Sequence, residues 1–299
     1  MAPLSTRRFQ KQDLICVGQD DNHLLLAPEY GGRLVRWVRD GEDILYWPEP
    51  ADWSRPAKIR GGNPLLFPFI GRHFAEGQAG HWRDASGTIH ALPQHGFARD
   101  LPFMVADSGD DRIAMVLESS DSTRAGYPYA FRFEARYRLA DGGLEVALRI
   151  ENTGGTRLPY YAGHHFYFRL PAAQRSASRL LLPAAARMRQ APDGRLTGAE
   201  TGEPTYALDD NRLQDTFHVL NGAGPVTLAM PGRTLSIELD VPGSIPWHAV
   251  TTWSESDDAD FYCVEPWLGL PDAIHHGQGL RWLEPGQQET AICRLRVVD

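Results

Sequence analysis

Cysteine is scarce in this chain. The three that occur, Cys16, Cys263 and Cys293, are far apart and odd in number. No C-x-x-C pair exists, so neither a zinc ribbon nor a disulfide framework is indicated, and a reducing, cytoplasmic setting is expected. Basic charge is also short, with 30 Lys and Arg against 38 Asp and Glu and a formal charge of −8. A general nucleic-acid binder carries the opposite balance, so no nucleic-acid partner is expected, although a local basic site remains open. No stretch approaches the ~18 uncharged apolar residues of a membrane span, and no membrane partner is expected. The start, MAPLSTRRFQKQDL, lacks the apolar run of a signal peptide. HExxH, H-x-H and dense acidic clusters are missing, as is a glycine-rich dinucleotide motif. Neither a catalytic metal nor a cofactor is therefore expected, although His275 and His276 stand near an interesting glutamate.

Long 3.6-residue periodicity is missing too, while period-two alternation is plentiful. Phe131, Phe133, Ala135, Tyr137 and Leu139 alternate with charged residues up to a turn at Asp141-Gly142-Gly143. Leu144, Val146, Leu148 and Ile150 continue the pattern, which predicts a hairpin with one buried face. Val226–Met230 and Leu235–Val241 flank a Pro231-Gly232 turn, and Ile113–Leu117 and Ala291–Val297 read as further strands. Only Ser176–Met188 reads as a helical turn. The 42% apolar content supports a core, and 29 glycines and 22 prolines supply many turns. An all-β sandwich or barrel, forming a single domain over residues 1–299, is the expected fold.

Four segments depart from ordinary strand or turn. RGGNPLLFPFIGR, from Arg60 to Arg72, packs glycines and prolines around an apolar run. It reads either as a kinked buried connection or as a rigid loop beside a ligand. In Pro93–Arg99, a His95-Gly96 step allows close backbone approach to a ligand. In Gly163–Leu170, strand parity puts His164, Phe166 and Phe168 on a core face and His165, Tyr167 and Arg169 on a polar one. Parity thus favours His165 as the working residue. In Phe261–Asp272, an apolar strand ends in Glu265, with Cys263 and Trp267 on the same face. Glutamate is rarely buried unless paired or functional, and a Trp beside a carboxylate suits a sugar.

Together, RGGNPLLFPFIGR, LPQHGFARDLPF, YYAGHHFYFRLP, LQDTFHVL and FYCVEPWLGLPDAIHHGQGLRWLEPG resemble the aldose 1-epimerase (galactose mutarotase-like) superfamily over most of the chain. The resemblance implies a large antiparallel β-sandwich, the supersandwich, and an isomerase acting on a small sugar without a cofactor. It implies that His165 protonates the sugar ring oxygen and Glu265 removes the anomeric hydroxyl proton. It assigns His95 as a second group at the ring oxygen and Asp215 to sugar hydroxyls. His164 stands where an Asn often precedes the H-x-Y-F motif. Arg60 and Arg99 match arginines that grip phosphate in the hexose-6-phosphate branch. Trp267 and Tyr167 complete the expected substrate-contacting set.

Ring opening needs a base at O1 and an acid at the ring oxygen, and a carboxylate and an imidazolium supply both. The expected function is an aldose 1-epimerase interconverting anomers of a free hexose. A hexose-6-phosphate 1-epimerase is the alternative, followed by an inactive sugar-binding sandwich and a structural interaction protein. A monomer or homodimer is expected. For the arginines, the expectation is an acidic or backbone partner for Arg60 and a ligand contact for Arg99.

Overall fold

The computed structural model describes residues 4–140 and 142–298. The chain is built almost entirely of antiparallel strands, in three main sheets. Thr6–Asp43 supplies a five-stranded meander whose neighbours follow in sequence order. Nine strands form the largest sheet, with Phe131–Ala140, Gly143–Asn152, Gln288–Val298 and Arg233–Glu238 side by side at its centre. Eight form the third, in which Thr216–Leu220, Ala249–Trp253 and Phe261–Trp267 are neighbours.

The expected hairpins are present. Phe133 pairs with Ile150 and Tyr137 with Val146, so the alternating apolar sets of both strands fall on one face. Val226–Met230 pairs with Arg233–Glu238 around Pro231-Gly232, and Arg112–Glu118 and Gln288–Val298 are strands. Of the expected Asp141-Gly142-Gly143 turn, Asp141 lies outside the described residues. Gly142 takes φ +80°, a value open to glycine, and Gly143 pairs with Ala140.

The helical expectation for Ser176–Met188 fails. Arg179–Leu181 and Ala185–Met188 are strands, paired with Thr205–Ala207 and Val226–Met230 in one sheet and with Thr216–Leu220 in the other. Pro183 breaks any helix, and sheet partners distant in sequence outweigh the helix propensity of the alanines.

The buried face of the nine-stranded sheet packs on the segment between Asn63 and Ile70. Phe67 stacks on Phe133 at 4.5 Å with rings 12° apart. Asn63 Nδ2 donates to the Tyr137 hydroxyl at 3.2 Å, joining the two layers through a buried hydrogen bond. The motif-bearing segment from Arg60 to Arg72 is thus a wall between a large sheet and a cavity. The cavity is lined by Arg60, Gly71 and Arg72 from this segment and by Thr251, Glu265 and Trp267 of the eight-stranded sheet.

Candidate active site

Strand Phe261–Trp267 carries the glutamate. All seven of its residues are buried; one edge pairs with Ala249–Trp253, and the other pairs at Phe261–Cys263 and at Trp267. Glu265 faces Thr251 across the ladder, and Cys263 faces Trp253. Alternation then sets Cys263, Glu265, Trp267, Thr251 and Trp253 on one face.

His164 and His165 straddle a break between two short strands, Gly163–His164 and Tyr167–Arg169. The expected strand is therefore interrupted at His165, yet the two histidines still point to opposite sides. His164 stacks on Phe166 at 4.8 Å inside the core. His165 stacks on Tyr167 at 4.6 Å, rings 3° apart, on the opposite side. Asn63 holds both: its Oδ1 accepts from the His165 backbone N–H at 3.0 Å, and its Nδ2 lies 3.1 Å from His164 Nδ1. Arg169 is exposed and lines a different cleft with Glu42, Asp43 and Arg233, of about 500 Å³.

A cavity of about 280 Å³ gathers Arg60, His95, Arg99, His165, Asp215, Glu265 and Trp267. These are all the sequence-selected site residues except Tyr167, which lies beneath His165 as its stacking support. His165 Nδ1 stands 3.3 Å from Glu265 Oε1, and the Trp267 indole N–H donates to Glu265 Oε2 at 3.2 Å. Burial pushes the Glu265 carboxyl well above the ordinary carboxylate range, although the Trp267 donor pulls it down. Burial also holds His165 well below an ordinary imidazole, and the positive charges of Arg99, Arg60 and Arg33 push it the same way.

His95 sits in a left-handed backbone conformation, φ 66°. Its Nδ1 accepts from the Gly71 backbone N–H at 3.1 Å, and its own N–H donates to the Gly71 carbonyl at 3.0 Å. With Nδ1 occupied as an acceptor, the ring proton belongs on Nε2. Burial holds the His95 pKa well below the ordinary value, which keeps the ring neutral, and its Nε2 faces the Gln94 side-chain amide at 3.2 Å.

Arg60 has the acidic partner expected of it, and Arg99 takes a backbone partner. Arg60 pairs with Glu255 at 3.2 Å and lies over the Trp253 ring at 5.1 Å. Arg99 spends Nη2 on the Gln94 carbonyl at 2.7 Å, while its buried Nε has no partner among the described residues. Lys58 and Arg72 also line the cavity, so four cations face the two carboxylates of Asp215 and Glu265. Trp267 is only 3% exposed and its N–H is occupied, so it braces Glu265, while half-buried Trp253 offers the more open ring.

Sequence reasoning missed Asn63, whose only signal was an amide inside a glycine- and proline-rich apolar run. It also missed Arg33, 1% exposed with Nε and Nη2 unpartnered. Thr251 and Trp253 carried no signal, because only the ladder pairing brings them beside Glu265.

The sequence profile of the family described as Aldose 1-epimerase matches residues 13–296. A Salmonella typhimurium protein described as "Putative glucose-6-phosphate 1-epimerase" is 30% identical over 141 residues, 46% of this chain. The matched stretch spans 43% of that relative, less than half its length. Among solved structures, a Synechocystis protein superposes with a TM-score of 0.79 at 25% identity, covering 99% of this chain and 96% of its own. A galactose mutarotase-like protein from Clostridium acetobutylicum gives 0.80 at 17% identity, covering 99% and 98%.

Proposed function

The chain belongs to the aldose 1-epimerase family, and from that premise we propose that it interconverts the α and β anomers of a hexose through the Glu265–His165 pair. The observation that carries the reading is the approach of Glu265 to His165, at 3.3 Å, in a cavity that also holds His95. Glu265 takes the O1 proton as the ring C–O bond breaks, and His165 delivers a proton to the ring oxygen. Rotation about C1–C2 then presents the other carbonyl face, and both transfers reverse. His95 donates through Nε2 to the ring oxygen as charge develops there.

Burial bears on the direction of these transfers. Desolvation favours a neutral carboxylic acid beside a neutral imidazole over a carboxylate beside an imidazolium. The neutral pair is what remains once O1 has lost its proton and the ring oxygen has gained one. A buried site therefore favours the pair as it stands after ring opening, and the desolvation cost falls on the ionised pair that starts the step. Glu265→Gln and His165→Asn each lower kcat by about 10²-fold or more in a polarimetric assay. Near-normal turnover in either folded variant sinks the assignment.

The charge of the cavity bears on the substrate. Lys58, Arg60, Arg72 and Arg99 outnumber the carboxylates within it, in a chain whose net charge is −8. This supports a hexose 6-phosphate over a free hexose, because a guanidinium binds phosphate oxygens bidentately. Arg99, with an unpartnered Nε, is the principal anion contact in this reading. Anomerically pure glucose and glucose 6-phosphate, compared as substrates of wild type and Arg99→Ala, decide between them. A preference of ~100-fold for the ester, about 2.7 kcal/mol, that disappears in the variant supports the phosphate. Equal loss on both substrates returns the reading to free sugar.

A further inference from the structure

Cys263 has no part in the chemistry above, yet it sits against the acid–base pair. The imidazole, thiol and carboxylate ligand atoms of His165, Cys263 and Glu265 all lie within 4.8 Å of one another, and all three residues are buried. His165 Nδ1 is buried without a hydrogen-bond partner among the described residues, 3.3 Å from Glu265 Oε1. Zinc–nitrogen and zinc–oxygen bonds of about 2.0–2.2 Å put neighbouring tetrahedral ligand atoms roughly 3.3–3.5 Å apart. The imidazole and carboxylate therefore already stand at a chelating separation. The Tyr167 ring stacked on His165 fixes the orientation of that nitrogen.

We propose that His165, Cys263 and Glu265 bind Zn²⁺, and that the ion inhibits the enzyme. The donor set of one imidazole, one thiolate and one carboxylate suits zinc and is too soft for Mg²⁺ or Ca²⁺. Three protein ligands leave a fourth position for water, facing the cavity. On binding, the Cys263 S–H proton and the proton that burial keeps on the Glu265 carboxyl both pass to solvent. Zn–S, Zn–N and Zn–O bonds form, and nothing is oxidised or reduced. Thiolate and carboxylate together cancel the 2+ charge, so Arg60 and Arg99 meet a neutral centre. The inhibition rests on the acid–base reading, since the ion occupies the lone pairs that Glu265 and His165 need for proton transfer.

Binding and inhibition are read separately on the full chain. Co²⁺, titrated as the probe, gives a thiolate-to-cobalt charge-transfer band in the near ultraviolet in wild type, and none in Cys263→Ala or Cys263→Ser. Zn²⁺ lowers turnover at least tenfold, a chelator restores it, and either variant needs at least tenfold more Zn²⁺ for the same inhibition. A missing cobalt band, or one that persists in both variants, overturns the site whatever the activity of Glu265→Gln. A band that depends on Cys263, together with full turnover at saturating Zn²⁺, overturns the inhibition and the acid–base assignment with it.

Discussion

Two adjacent histidines meet opposite fates because a single backbone step turns one side chain into the core and the next into the cavity. His164 is sealed against Phe166, and burial pushes its pKa down to about 3. Replacing it with Phe removes a neighbour of Asn63, but the amide keeps the Tyr137 hydroxyl and the His165 N–H. His164→Phe is expected to cost roughly 1–3 kcal/mol of stability while turnover stays within about tenfold, as urea midpoints and polarimetry together report. A collapse of turnover with stability unchanged contradicts this division of labour. At this scale the sequence was informative wherever parity or an unusual residue type spoke. Glu265 in an apolar strand and His165 opposite Phe166 are such cases. It was silent for Asn63 and Arg33, because an amide or guanidinium that is exposed and one that is buried look alike in one dimension.

Among the elements, the short loop Pro93–Arg99 is held more firmly than its length suggests. The Phe67 carbonyl accepts from both Phe97 N at 3.0 Å and Ala98 N at 3.2 Å, and Gly71 exchanges two hydrogen bonds with His95. Gly96 takes φ +73°, and a Cβ there would stand 2.1 Å from the Phe67 oxygen. Gly96→Ala must push the loop off its wall and shift His95 out of line. Expected outcomes are a fall in kcat/KM of more than tenfold and a loss of more than about 2 kcal/mol in stability, measured by initial rates and denaturant unfolding. Wild-type behaviour would mean that the loop position is irrelevant to the site. The His-Gly step signalled a close backbone approach, expected to a ligand, and what Gly96 approaches is the Phe67 carbonyl; the alternating hairpins were legible because their signal is local. The strands at Arg179–Leu181 and Ala185–Met188 were not, because their partners lie distant in the chain and short alanine-rich pieces carry no period of their own.

Across the whole molecule, acid stability follows from histidines held neutral by burial. His164 and His218 both have pKa values pushed down to about 3, burial being the main cause in each. The unfolded chain takes up these protons near pH 6.5 and the folded chain does not until about pH 3. Stability is therefore complete above about 6.5 and falls as pH drops through that window, by roughly 1.4 kcal/mol per pH unit for each site. Urea midpoints between pH 6 and 4.5 should fall steeply in wild type and less steeply, by about one proton, in His164→Phe. An unchanged slope contradicts a neutral His164. The strand Phe261–Trp267 has a different consequence at this scale. Buried along its whole length, paired along one edge and at Phe261–Cys263 and Trp267 on the other, it offers solvent little route to its amides short of global opening. Its amide protons should be among the last to exchange with deuterium, while the exposed hairpin Gln78–Ala79 exchanges early. Glu265, the base proposed for the reaction, would then ride on some of the slowest-breathing backbone of the protein. Heat would abolish catalysis only at the temperature where the whole fold gives way, with no earlier loss of the base.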